Sequence, residues 1–363
     1  MIAPGQLINV AIEKPAAGGR MIARVDGQVV LVGGAIPGER VTARVERVGK
    51  GVAYAETTSI DEPSPDRRDP FTDPSCGGCL YAHIAYPRQI EIKAQVIADA
   101  FGRIGRIALV APVNVAGSPE EGYRMRARLH LRGRRLGFFR EGSHDLCDAR
   151  ATRQLLPATS DVLDRLTAGL RSVDLDALRD VELSENIDAS ERAVHLEAAA
   201  PLDPRVLAPM AAMIHDGLTG LTIGRTLIAG DPYIRDVLAM EGHEIVWRRH
   251  VLAFFQGNRY LLRDLVAHVT RRIDQGSRVV ELYAGGGLFA VPCAVVRGAS
   301  VTAVEGDHVA AADLAVNASQ AGGGVRAVHQ AVETFAADSG APLDALIVDP
   351  PRTGMSRDAL EGA

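Results

Sequence analysis

Three phrases in one order constrain this chain most. They are Glu281-Leu282-Tyr283-Ala284-Gly285-Gly286-Gly287-Leu288-Phe289, then Val304-Glu305-Gly306-Asp307, then Val348-Asp349-Pro350-Pro351-Arg352. Each follows a short apolar run: Ser277 to Tyr283, Ser300 to Val304 and Ala345 to Val348. Such runs are expected as buried parallel strands with helices between them. A triple glycine after a buried strand lets the backbone turn tightly and approach a ligand before a helix begins near Leu288. Glu305 comes about 20 residues later, where a carboxylate can accept hydrogen bonds from both hydroxyls of a ribose. Asp349 leaves the third run, and two prolines fix the backbone so that its carboxylate projects over the pocket.

Together the phrases describe a nucleotide-type cofactor site at the carboxyl ends of three parallel strands. Gly285-x-Gly287-x-x-Ala290 also satisfies the dinucleotide fingerprint. A dinucleotide fold, however, has no call for Asp-Pro-Pro at its fourth strand. S-adenosyl-L-methionine is therefore favoured over NAD, with Gly285, Gly287, Glu305 and Asp349 as cofactor-binding residues.

At 363 residues the chain has room for two or three domains. No run of about 18 apolar residues could span a membrane, and the start, Met1-Ile2-Ala3-Pro4-Gly5, has no export signal. A cytoplasmic location with no membrane partner is the expectation. Four cysteines argue against a disulfide framework, and Cys76-Gly77-Gly78-Cys79 points to metal or redox chemistry in a reducing compartment.

The formal charge of −5 is discouraging for a nucleic-acid binder, but its distribution is uneven. From Tyr123 to Arg140 there are seven arginines (124, 126, 128, 132, 134, 135, 140) and no acid. Arg124, Arg126 and Arg128 alternate with Met125, Ala127 and Leu129, so a strand places the three guanidiniums on one face. Guanidiniums pair with phosphates, and the interleaved Tyr123, Phe138 and Phe139 can stack on unpaired bases, which is what single-stranded RNA asks for. A solvated strand face is the plainer alternative.

The first 60 residues read as a small β-barrel, with runs at Leu7 to Ile12, Met21 to Val25, Val29 to Val32, Val41 to Val45 and Val52 to Thr57 between glycine turns. Asp61 to Pro74, with four prolines, reads as a linker. Arg88 to Gly105 has helical spacing of apolar residues. From Leu155 to Arg248 the pattern is a mixed α+β middle region, with Ala198 to Pro201 as a loop entry. The expected division is a barrel at 1–60, a linker, cysteine pair and RNA-binding middle domain at 61–250, and a cofactor domain at 251–363.

In this order the chain resembles the RNA uracil-5-methyltransferases that begin with a TRAM domain, ribosomal RNA type. The resemblance rests on Gly18-Gly19-Arg20, Gly38-Glu39-Arg40, Cys76-Gly77-Gly78-Cys79, Tyr123-Arg124, Gly137-Phe138, Ser143-His144, Phe255-Gln256-x-Asn258 and the three cofactor phrases. It implies an α/β chain: an OB-like TRAM barrel, an α+β middle domain, and a Rossmann-like methyltransferase domain that is incomplete at its C-terminus. It implies that Gln256, Tyr283, Glu305 and Asp349 contact the methyl donor or line its pocket. The implied reaction is methylation of uridine C5, most plausibly in 23S ribosomal RNA. A tRNA substrate and a non-catalytic RNA-binding protein are the alternatives, and a monomer is expected.

In that family a cysteine thiolate adds to uracil C6, the enolate takes the methyl group, and a carboxylate removes the C5 proton. The family cysteine lies about 25 residues past the Asp-Pro-Pro aspartate. That position falls beyond Ala363, so residues 1–363 are expected to lack the nucleophile and to be inactive alone. Cys293, on the helix after the glycine turn, reads as a small buried hydrophobe. Cluster-bearing members hold a [4Fe-4S] cluster on four thiolates. Here only Cys76 and Cys79 match, with Cys147 nearby, while Pro70 and Thr152 stand at the other two places.

Overall fold

In the computed structural model, residues 2–133, 135–170, 178–200, 208–214, 217–338 and 343–362 are described. Arg134, one of the seven arginines, and Pro201, the end of the expected loop entry, lie outside them. The chain divides into two compact units, Met1–Glu120 with Phe138–Arg153, and Glu121–Gly137 with Gln154–Ala363. These units cut across the expected three-way division.

The first unit begins with six strands: β1 (Leu7–Ala11), β2 (Lys14–Pro15), β3 (Met21–Val25), β4 (Gln28–Gly33), β5 (Arg40–Val48) and β6 (Val52–Glu62). They form one sheet in the order β1-β5-β6-β4-β3-β2. Val41, Ala43 and Val45 of β5 alternate inward with period two and meet Val10, Val30, Val32 and Ala55 in one core. Asp26 and Gly27, both at positive φ, close the β3–β4 hairpin, the primed turn that matches strand twist.

The stretch read as a linker is fastened to this barrel. Arg67 donates to both carboxylate oxygens of buried Glu39 at 2.6 Å, and the amides of Ile36 and Ser64 donate to the same group. Burial alone would raise the Glu39 carboxyl, but these bonds hold it below its ordinary value. Helix α1 (Tyr86–Asp99) follows and continues as a π-helical segment, Ala100–Gly105. Ile92 is buried, whereas Phe101 and Ile104 on the same predicted apolar set are exposed.

Next come β7 (Arg126–Arg132), β8 (Arg135–Phe139), β9 (Leu146–Asp148) and α2 (Pro157–Gly169). In the second unit, β7 pairs with the start of β8 through a tight hairpin and with β10 (Leu178–Glu185) on its other side. The sheet continues through β11 (Arg192–Ala198), β12 (Gly220–Ile223) and β13 (Thr226–Gly230). A separate hairpin, β14 (Tyr233–Met240) with β15 (His243–His250), buries Trp247.

The remaining elements are α3 (Leu262–Thr270), β16 (Arg278–Leu282), α4 (Ala290–Arg297), β17 (Ser300–Glu305), α5 (His308–Ser319), β18 (Val325–His329), α6 (Val332–Asp338), β19 (Ala345–Val348) and α7 (Arg357–Gly362). Their strands form a parallel sheet in the order β18-β17-β16-β19. Consecutive crossovers run outward from β16 to β18 and then return to β19 on the other side. A switch point therefore falls at the carboxyl ends of β16, β17 and β19, where α/β sheets bind ligands.

Candidate active site

The expected glycine turn sits at that switch point. Tyr283 leaves β16 at φ +61°, a left-handed conformation that is uncommon for a non-glycine residue and clusters at functional sites. Gly285 (φ +55°) and Gly287 (φ +84°) follow. A Cβ at Gly287 would lie 3.0 Å from Leu314 Cδ1, so packing as well as φ requires glycine there. A Cβ at Gly285 would meet nothing within 4 Å. The two glycines thus have different reasons: Gly287 faces protein, Gly285 faces open space.

The turn is held from behind. Trp247 Nε1 donates to the Gly287 carbonyl at 3.1 Å, and Asn317 Nδ2 to the Gly286 carbonyl at 2.8 Å. In front, the Gly285 amide donates to Glu305 Oε2 at 2.7 Å and the Asp307 amide to Oε1 at 2.6 Å. Asp307 caps α5 by accepting from the amides of Val309 and Ala310. A carboxylate has about four lone-pair sites, so two amides leave Glu305 with capacity for ribose hydroxyls.

Asp349 completes the set from β19. Its Oδ2 accepts from Gln256 Nε2 at 3.1 Å. Burial raises the Asp349 carboxyl above its ordinary value, and the Gln256 hydrogen bond opposes that shift. The sequence separates these residues by 93 positions, and the fold joins them. Tyr283 is half-buried against the cluster of Leu282, Val304, Val332 and Ala359, with its hydroxyl raised by burial and by Glu333.

Glu281 was quoted in the first phrase but not singled out as a site residue. It is fully buried, and its carboxyl receives the amides of Phe289 and Ala290 at the start of α4. Burial, reinforced by the charges of Asp349 and Glu305, pushes it up to about 8. Its sequence signal was a carboxylate inside an otherwise apolar strand. Leu288 packs into the core of the unit.

The arginine strand keeps the expected alternation: Ala127, Leu129 and Leu131 are buried, and Arg126, Arg128 and His130 share the other face. The premise that no acid balances it is corrected by the sheet partner. Arg128 Nη2 lies 2.5 Å from Asp180 and 3.0 Å from Glu197, and His130 Nδ1 lies 2.7 Å from Asp180. Arg126 lies 3.8 Å from Glu182. Arg124 precedes β7, bridges to Asn258 and donates to Gln154 Oε1 at 2.8 Å.

The metal reading of Cys76 and Cys79 is corrected as well. Cys76 is joined to Cys147 by a disulfide, with Cα atoms 5.9 Å apart. Cys79 is buried, its thiol facing the Thr152 carbonyl at 3.9 Å. A four-thiolate cluster does not fit this set, because the unit has only three cysteines and two are bonded to each other. Among the described residues no group of three or more His, Cys, Asp or Glu is placed to hold a metal ion. Cys293 is buried in α4, and burial pushes its thiol up to about 12.

Known proteins resemble this chain over nearly its whole length. The TRAM domain family matches residues 3–58. The 23S rRNA (uracil(1939)-C(5))-methyltransferase RlmD of Pseudomonas putida is 30% identical over 96% of this chain and 80% of its own length. The RlmD of Halomonas elongata is 32% identical over 95% of this chain and 76% of its own length. Among solved structures, Pyrococcus abyssi tRNA (uracil-54, C5)-methyltransferase, crystallised with S-adenosyl-L-homocysteine, superposes with a TM-score of 0.74. It covers 97% of this chain and 86% of that one at 21% identity, a likeness of fold.

Proposed function

Since the chain belongs to the TRAM-domain RNA (uracil-5-)-methyltransferase family, we propose that it binds S-adenosyl-L-methionine at the carboxyl ends of β16, β17 and β19 for methylation of uridine C5 in RNA. Ribosomal RNA is favoured over tRNA, because relatives at 30% and 32% identity are named for 23S rRNA. One observation carries the reading of the site: Glu305 on Gly285 and Gln256 on Asp349 converge around a single glycine turn.

The methyl donor supplies an electrophilic methyl group on a sulfonium. Around it, Glu305 offers free lone pairs for a ribose, and Gly285 leaves room for close approach of the ligand to the backbone. Asp349 is held in place by the Gln256 amide. Glu281, neutral at pH 7 with its pKa near 8, pins the start of α4 without adding a third negative charge beside Glu305 and Asp349.

Uracil C5 becomes nucleophilic only after a thiolate has added to C6. Cys293 cannot serve, since a buried thiol with a pKa near 12 is protonated at neutral pH. Cys76 and Cys147 are bonded to each other, and Cys79 is buried. Residues 1–363 are therefore expected to bind the methyl donor without completing methyl transfer. Titration calorimetry with S-adenosyl-L-homocysteine and a radiolabelled methyl-transfer assay on ribosomal RNA test the two parts separately. No binding overturns the cofactor site; turnover by residues 1–363 overturns the missing nucleophile.

A further inference from the structure

The outer face of the β14–β15 hairpin carries two arginines that the fold sets against each other. Arg235 and Arg248 are Cα partners in the hairpin register, whereas Arg249 is turned inward and bonded to buried Asp236. Like charges directly opposite on one sheet face are destabilising, and on β7 the arginines are met by acids. Here, among the described residues, no ion pair and no hydrogen bond reaches either guanidinium. Two opposed, unpaired cations call for an anion.

Both arginines line a cleft of about 470 Å³, within the size range of ligand sites. Arg248 Cζ lies 3.2 Å from the centre of the Tyr233 ring, and a guanidinium held over a ring face keeps the N–H donors on its edge free. The Arg248 backbone is fixed by Asn317, which accepts from its amide at 2.8 Å and donates to its carbonyl at 2.9 Å. Glu191 and Asp231 line the same cleft, but each is engaged by a backbone amide of β14: Arg235 donates to Glu191 at 2.7 Å and Tyr233 to Asp231 at 3.0 Å. These acids fix the start of the strand without pairing with its arginines.

Resting on the RNA reading above, we propose that Arg235 and Arg248 form a phosphodiester site that grips one phosphate of the RNA backbone outside the methyl-donor pocket. The non-bridging oxygens of a phosphate accept from guanidinium forks, and its charge relieves the repulsion between the two arginines. A neutral base edge would leave that repulsion in place. A phosphate contact carries no sequence information; it fixes the register and orientation of the nucleic acid. The hairpin thus positions RNA and does not read it.

The test is fluorescence anisotropy of the full chain with a uridine homopolymer across a salt series, because a backbone contact is independent of sequence. Arg235→Gln with Arg248→Gln should weaken binding by up to about tenfold and flatten the salt slope by roughly 0.7, the value of one single-strand phosphate. Arg235→Lys with Arg248→Lys keeps the charge and should restore most of that slope. Wild-type affinity and slope in the glutamine variant overturn the site, as does a lysine variant no better than the glutamine one. Thermal stabilisation by inorganic phosphate over chloride at matched ionic strength, lost in a glutamine variant that still binds RNA like wild type, assigns the cleft to free anions and overturns the RNA contact. If the glutamine variant no longer binds S-adenosyl-L-homocysteine, Arg235→Gln alone is read, and wild-type affinity and slope there also overturn the site. Failure of the wild-type protein to bind the polymer, with S-adenosyl-L-homocysteine still bound, removes the RNA reading itself and the site with it.

Discussion

The glycine turn after β16 and the polar face of β7 both gather charged groups, but they neutralise them differently. At the turn, the Glu305 carboxylate is met by the backbone amides of Gly285, 20 residues away, and Asp307, 2 residues away. On β7, Arg128 is met by the side chains of Asp180 and Glu197, 52 and 69 residues away. Backbone amides fix a carboxylate while leaving it lone pairs for a ligand. Opposed side chains instead consume each other's capacity, and a face that reads as strongly basic becomes nearly neutral.

This contrast can be broken most directly at Glu305. Glu305→Ala removes the acceptor of two turn amides together with the expected ribose contact, so S-adenosyl-L-homocysteine affinity should fall more than about 100-fold, as for loss of two charge-assisted hydrogen bonds. Calorimetry showing less than about a tenfold loss would place the cofactor contact elsewhere.

Gly287→Val tests the packing side of the same turn. It forces a β-branched residue to positive φ against Leu314, and a cost of roughly 2–3 kcal/mol in urea unfolding is expected. Unchanged stability would mean that the turn relaxes freely. The barrel gives a control of similar size: Glu39→Gln leaves Arg67 without its charged partner and should cost about 3 kcal/mol, checked the same way.

Arg126→Ala with Arg128→Ala sharpens the comparison from the other side. Because Asp180, Glu182 and Glu197 already offset these arginines, RNA affinity should drop by less than about tenfold and the salt slope should flatten by no more than about one or two phosphate equivalents. An unchanged affinity and slope would place the phosphate contacts on other residues.

The smallest effect concerns Glu281. Its folded pKa of about 8 exceeds the ordinary 4.5, so the folded chain keeps a proton that the unfolded chain releases. Stability is therefore fully present below pH 4.5 and declines as pH rises toward 8. Glu281→Gln should flatten that decline, raising Tm at pH 8.5 by several degrees relative to wild type, at roughly 2–4 °C per kcal/mol. Identical pH profiles of the two proteins, followed by scanning calorimetry, would show that Glu281 is ionised when folded.

Much of the candidate site's geometry was legible because its signals are local. The turn glycines, the acid after β17 and Asp-Pro-Pro after β19 each mark a strand end, and strand ends of a parallel sheet lie together by topology. The barrel strands were legible for a similar reason, since period-two alternation and glycine turns are read residue by residue. The fastening of the linker was not legible because its composition carries no trace of Glu39 waiting for Arg67. The cysteine pair was misread because the partner of Cys76 comes 71 residues later.

The sequence by itself determined the strands, the turns and the chemistry available at the carboxyl end of the parallel sheet, since these depend on periodicity, backbone freedom and residue type. Only the tertiary structure decided which charges are spent and which are free. Arg126 and Arg128 look alike along the chain, yet the β7–β10 register gives one a tight acid partner and leaves the other beside an unsatisfied carboxylate. Pairing energy depends on distances of a few ångströms between residues dozens of positions apart, and only the folded sheet sets those distances.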